Sequence, residues 1–141
     1  PPPGAIGAAE RVLEEGVERA LARHTFGRLV AEHGEVQWRL ANARAKIRQI
    51  RLLVLHSAHL LDTKASHAEI SESVAAMKLA VPRVVQQVAD DVLQVFGAAG
   101  VSQDTPCARV LAGMRSLRLA DGPDEVHARS VAFAELLRAQ L

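Results

Sequence analysis

The sequence predicts an all-α fold, an antiparallel bundle of about four to five helices, and three observations carry that prediction. Apolar residues recur at three- and four-residue steps along almost the whole chain, the period of one helical face. The composition is rich in Ala, Leu, Val and Arg, with no Tyr and with Phe26, Trp38, Phe96 and Phe133 as the aromatics, a profile that favours helix over sheet. The connections between the periodic stretches are short, so consecutive helices pack against one another in opposite directions.

The first face runs through Ile6, Ala9, Leu13, Val17 and Leu21. Residues 23–34 break the pattern, punctuated by Gly27 and Gly34. The second face, Val36, Leu40, Ala43, Ile47, Ile50, Val54, Ala58 and Leu61, predicts a long helix ending near Asp62. Ser66 with Glu69 three residues on has capping-box spacing and opens the third helix. That helix carries Ile70, Val74, Met77, Val81, Val85, Val88, Val92 and Val95. Its valines favour strand by propensity, but their spacing is helical and the period decides. Pro82 lies inside it and is expected to kink it, because proline removes a backbone donor and crowds the carbonyl four residues earlier. The segment 97–100 ends the third helix, 101–106 is a loop, a shorter helix covers about 108–119, and a last one covers 123–140.

The bulk numbers fit one soluble domain: 141 residues, 49% apolar and 23% charged. A net charge of +1 calls for neither nucleic acid nor an anionic membrane surface. Cys107 is alone, which excludes an intramolecular disulfide and a cysteine zinc site and suits a reducing compartment. No apolar run approaches the roughly 20 residues that span a bilayer. The start, Pro1-Pro2-Pro3-Gly4, reads as a cut or a linker end. Leu52, Leu53 and Leu55 widen the apolar stripe of the second helix beyond what a small bundle can cover, so burial in an oligomer or against another domain is expected.

Most polar clusters read as ordinary surface. His56, His59 and Asp62 share a helix edge, but a metal site needs further converging donors, and no Glu-x-x-His pair of the di-iron type exists in the chain. Arg44, Arg48 and Arg51 line a helical edge that a solvated or interface role explains better than phosphate contact. Cys107 has no neighbouring His in sequence to make it a nucleophile.

Two stretches ask for more. Gln94-Val-Phe-Gly-Ala-Ala-Gly100 bares backbone at a helix end, which suits a glycine cap and equally the close approach of a backbone or a phosphate. Leu117-Arg-Leu-Ala-Asp-Gly-Pro-Asp-Glu-Val-His127 reads as helix stop, sharp turn and helix start, with Pro123 and the acids suited to a first turn. It sets Asp121 at the mouth of a helix junction, where a carboxylate serves as a cap or as a base.

Taken in order, Arg23-His-Thr-Phe-Gly-Arg-Leu29, Glu32-His33, residues 94–104 (Gln-Val-Phe-Gly-Ala-Ala-Gly-Val-Ser-Gln-Asp) and the 117–127 stretch resemble the C-terminal all-helical domain of the acyl-CoA dehydrogenase family. The resemblance covers the chain from about Ile6 onward. It implies FAD as cofactor, an acyl-CoA thioester as substrate, and oxidation of its Cα–Cβ bond. A carboxylate takes the α-proton while hydride passes to the flavin, and that carboxylate matches Asp121. Arg23, Thr25, Gln94, Gly97 and Ala98 match positions that contact FAD, the last three typically the FAD of a neighbouring subunit, and Gly122 falls at a substrate-binding position. Partners implied are a homo-oligomer, dimer or tetramer, and an acceptor of the electron-transfer flavoprotein type, in the cytoplasm of a bacterium or the mitochondrial matrix of a eukaryote.

The departures define a subgroup. Asp121 stands where most of the family has Glu, one methylene longer. Ala98 replaces a second glycine, Gly34 a Gln, and Pro123 a Thr whose hydroxyl or N–H serves the flavin. The family's N-terminal helical and middle β-domains have no counterpart here, so residues 1–141 are expected to be the base-bearing, oligomerising portion of a larger protein and inert alone. The alternative is a non-catalytic helical assembly module derived from the same family.

Overall fold

The computed structural model describes residues 2–140, with side chains over 4–140. Among the described residues five helices form the bundle: α1 (Pro2–Ala22), α2 (Gly34–Asp62), α3 (His67–Phe96), α4 (Cys107–Leu117) and α5 (Asp124–Arg138). A two-stranded antiparallel hairpin, β1 (His24–Thr25) and β2 (Arg28–Leu29), interrupts α1 and α2. Short 3₁₀ turns follow it at Val30–Glu32 and follow α3 at Gly97–Val101.

The hairpin is an addition to the sequence reading, which took 23–34 only as a break. Its pairs are His24 with Leu29 and Thr25 with Arg28. Phe26 and Gly27 turn it with φ of 52° and 79°, the left-handed pair that matches strand twist in a two-residue loop. Backbone Val30 N–H donates to Arg23 O at 2.8 Å and closes it.

Helix α3 is the mast of the bundle, packing against α1, α2, α4 and α5. Its valines supply the centre of the core: Val81, Val85, Val88 and Val92 meet Ala9, Val12 and Leu13 of α1, Ala43, Ile47 and Ile50 of α2, and Cys107, Val110 and Met114 of α4. A helical period thus overrides strand propensity because α1, α2 and α4 each offer these valines apolar neighbours to bury against. Pro82 is itself buried and α3 continues through it unbroken. At its start, Glu69 N–H donates to Ser66 Oγ and the Ser66 backbone N–H donates to Glu69, the reciprocal cap the spacing predicted.

Polar ties set the register of the long helices. The hydroxyls of Ser57 and Ser73 meet 2.8 Å apart in the α2–α3 interface, both residues buried. Buried Asp91 of α3 accepts from Arg39 of α2 at 3.2 Å. Arg44 and Arg51 both reach Glu10 of α1, so this arginine edge is a helix–helix tie. His56, His59 and Asp62 are exposed, and no metal-binding cluster occurs among the described residues. Among the described residues no helix is long and apolar enough to cross a membrane.

Candidate functional site

Two sites lie along α3, one at its C-terminal end and one near its middle, beside Lys78 and Pro82. At its C-terminal end, a cavity of about 400 Å³ gathers residues from the end of α1, the hairpin and the 94–99 segment. Arg23, Thr25, Gln94, Gly97 and Ala98, assigned in sequence by resemblance alone, all line it, joined by Arg19, Phe26, His33 and Phe96. A small core of Ala20, Val30 and Val95 lies among the same elements. Burying those apolar groups ties the hairpin to the helix ends, so cavity geometry follows from packing.

The polar atoms at the cavity are ordered by one histidine. Arg28 donates to His33 Nδ1 at 3.0 Å, which assigns the proton to Nε2, and Nε2–H then donates to Thr25 Oγ1 at 3.1 Å. Thr25 accepts there and keeps its own O–H to donate elsewhere. Sequence reasoning saw His33 as part of a motif and missed this role; the cue was its eight-residue distance from Thr25 across a turn. On the far side Gly97 caps α3 at φ 68°, and a Cβ built on it would meet no atom within 4 Å. The backbone there is open to a ligand, and the left-handed φ selects glycine.

Charge in the cavity is one-sided. Its lining holds the guanidiniums of Arg19 and Arg23 and no carboxylate. Two guanidiniums, a hydroxyl, an amide and the Phe26 ring, 97% exposed, suit a ligand that carries phosphate and an aromatic system.

The second site is the α4–α5 junction. The N-cap of α5 is Pro123, with no side-chain cap bond, so Asp121 is not the helix cap that its spacing allowed. Asp121 instead sits in the left-handed region at φ 57°, followed by Gly122 at φ 110°. Asp is among the few residues that tolerate this region, since its short side chain bonds locally. Its carboxylate is exposed, with Lys78 Nζ of α3 3.4 Å from Oδ2, and the same ammonium donates to Ala120 O at 3.2 Å. Asp121, Lys78, Pro82, Met77 and Leu117 border a cleft of about 100 Å³.

Beneath the turn is a residue that sequence reasoning passed over. Asp124, the first residue of α5, is buried and accepts from Arg118 Nε at 2.7 Å and from Arg83 Nη2 at 3.0 Å. Arg118 also donates to Gln86 at 3.0 Å. The Arg118 guanidinium, and after it Arg83, holds the Asp124 carboxyl below its ordinary value despite burial. This clamp fixes both ends of the turn that carries Asp121. Cys107 is fully buried, and burial pushes its thiol up, which leaves it inert.

The chain is similar to known proteins over nearly its whole length. A profile of the acyl-CoA dehydrogenase C-terminal domain matches residues 3–136. Acyl-CoA dehydrogenase family member 11 of Rattus norvegicus is 47% identical over 131 residues, covering 93% of this chain and 17% of the relative. A solved chain from Mycobacterium abscessus, assigned to the acyl-CoA dehydrogenases, superposes with a TM-score of 0.91 at 44% identity, over 96% of this chain and 33% of that one. The FAD complex of PigA gives a TM-score of 0.87 at 25% identity, over 95% and 34%. The sequence thus spans 17% to 34% of these three proteins. With its helical period, its two site segments and a profile match over nearly all its length, the chain belongs to the acyl-CoA dehydrogenase family as a C-terminal domain.

Proposed function

We propose that this domain belongs to an FAD-dependent acyl-CoA dehydrogenase, in which it supplies the α-proton-abstracting carboxylate, Asp121, and contacts to FAD at a subunit interface. The carrying observation is the cavity that brings Arg23, Thr25, Gln94, Gly97 and Ala98 together from segments far apart in sequence. When bound, the flavin would accept hydride from the substrate β-carbon. The chain's own contribution is to bind and to move a proton. The cavity would hold phosphate and ring through Arg23, Thr25 Oγ1, Gln94 and the open backbone at Gly97 and Ala98. Asp121 Oδ would receive the α-proton, with Gly122 leaving room for the thioester.

Lys78 and Gln94 are sixteen residues apart on α3, about 24 Å at 1.5 Å per residue. That separation supports one domain serving two flavins: the base for its own subunit, the cavity for a neighbour. The exposed Leu52, Leu55 and Leu61 on α2 and Phe133 and Leu136 on α5 give a homo-oligomer or the missing domains apolar surface to cover. Asp121 is 84% exposed, so in the isolated domain nothing excludes water from the base, and the domain alone is inert. An acceptor of the electron-transfer flavoprotein type would reoxidise the flavin.

The test is anaerobic flavin bleaching in the intact protein, with its upstream domains, by a panel of acyl-CoA thioesters. Asp121→Asn should abolish bleaching while the flavin stays bound. Full bleaching by that variant would remove Asp121 as the base. The assembly-module alternative is favoured if the intact protein forms oligomers and holds no flavin.

A further inference from the structure

We infer that Lys78 of α3 is a positioning residue for Asp121: it holds one carboxylate oxygen and the preceding carbonyl, and leaves the other oxygen to take the proton. This rests on the reading of Asp121 as the base and adds to it the residue that orients that base.

Three observations carry it. Lys78 Nζ donates to Ala120 O at 3.2 Å and lies 3.4 Å from Asp121 Oδ2. The Ala120 carbonyl belongs to the peptide unit that enters Asp121, so one ammonium grips both the backbone and the side chain of the same residue. An ammonium has three donors and can serve both acceptors at once. Among the described residues, Lys78 is the one cation in ion-pair contact with this carboxylate, and Oδ1 has no hydrogen-bond partner. The two side chains also differ in exposure, 17% for Lys78 against 84% for Asp121. The lysine therefore reaches up from the cleft that Met77, Val81, Pro82 and Leu117 border, and the outer side of the carboxylate stays clear.

The rest of the turn fixes only the backbone of the base. Asp124, held by Arg118 and Arg83, sets the start of α5, and Asp121 sits at φ 57°. Neither restrains rotation about the Asp121 Cα–Cβ bond. An exposed carboxylate left to rotate spreads over several staggered positions, whereas proton transfer needs hydrogen-bond reach in one of them. Lys78 forms no covalent bond in the reaction; the α-proton goes to Asp121 as already proposed.

An ordinary surface ion pair is one competing account, but it leaves the bond to Ala120 O without a purpose. A cap for the end of α4 is another, since that helix ends at Leu117 with carbonyls to satisfy, and Lys78 would then serve the fold alone. Lys78→Met separates the three.

In the intact protein, with its upstream domains and flavin, flavin reduction is followed over a range of acyl-CoA concentrations in wild type, Lys78→Met and Lys78→Arg. Lys78→Met should lower the limiting rate about tenfold to a hundredfold with the half-saturating concentration unchanged, because orientation is lost and binding is not. Lys78→Arg keeps a cation with several donors and should recover part of that rate. In crystals of intact Lys78→Met, with or without flavin, the Asp121 carboxylate should occupy more than one rotamer. A single wild-type rotamer there overturns the inference. So does a limiting rate equal to or above wild type, or a change confined to the half-saturating concentration. A rate loss that comes with a lower melting temperature in both variants assigns Lys78 to the fold and overturns it too. Full bleaching by Asp121→Asn removes the base reading and this inference together. Lost bleaching in Asp121→Asn with full bleaching in Lys78→Met removes the inference alone.

Discussion

Arg118 and Asp124 form the closest ion pair around the α4–α5 turn, Nη2 to Oδ2 2.6 Å, and the turn between them carries Asp121 and Gly122. A buried carboxylate gripped from α4 and from Arg83 of α3 locks three helices at one point. Removing it leaves two cations facing each other around an empty site. Asp124→Ala should therefore cost about 2 kcal/mol, discounted from the fully buried case because Arg83 is half exposed.

The sign of its pH dependence follows. The Asp124 carboxyl is held below its ordinary value in the fold, chiefly by Arg118. Its stabilising contribution is complete above the unfolded-state value, about pH 4, and is lost as pH falls further through the folded value. Urea unfolding should show a wide gap between wild type and Asp124→Ala at pH 7 that narrows steadily below about pH 4. A gap independent of pH would show that packing, not charge, sets the cost.

How much of this was legible depended on range. The helices were, because their signals repeat every turn: the valines of α3, or Ser66 and Glu69 at its start. The hairpin was not, because two-residue strands carry no alternation and Phe26-Gly27 is an uncommon turn pair. Asp124 read as a generic first-turn acid, since its partner Arg83 lies forty-one residues upstream and only packing brings it near. Arg44 and Arg51 read as a solvated or an interface edge, and only packing, which brings Glu10 to both, decides for the interface. The cavity residues were assigned from motif resemblance, and only the fold brings them together from the end of α1, the hairpin and the 94–99 segment.

The Ser57–Ser73 contact predicts a non-additive pair. Each hydroxyl satisfies the other in an interface that excludes water. Ser57 also donates to Leu53 O at 3.0 Å, which lets Ser73 be the donor between the two. Ser57→Ala strands the Ser73 hydroxyl and should cost about 1–2 kcal/mol. The double change to Ala should cost less than the sum of the single changes, because no polar group is left behind. Additive costs in thermal unfolding would show that the two hydroxyls do not interact.

Gly16 marks a close approach of α1 to α3. A Cβ there would lie 2.6 Å from Val92 Cγ1, a stiff side chain 1% exposed in the core. Gly16→Ala gains helix propensity of about 1 kcal/mol but forces the helices apart, and overpacking costs about 1–3 kcal/mol. A net loss is expected, with α1 and α3 displaced. Val92→Ala opens space at the same point, so the double variant should recover part of the loss. A more stable Gly16→Ala would show that the contact yields without cost.

The base assignment can be separated from the fold. Asp121 is 84% exposed and its contact with Lys78 is 3.4 Å, an arrangement that contributes little to stability. Asn tolerates φ 57° as Asp does, so Asp121→Asn should leave the unfolding free energy of the 141-residue chain unchanged within about 0.5 kcal/mol. Gly122 is different: at φ 110° any Cβ is strained, although the nearest atom is 3.6 Å away, and Gly122→Ala should cost about 1–2 kcal/mol. In the intact protein both changes should slow flavin reduction, the first by removing the proton acceptor and the second by moving it. Only Gly122→Ala should also lower the melting temperature. If Asp121→Asn destabilises the fold as much, its kinetic loss says nothing about proton transfer, and the carboxylate is a structural part of the turn.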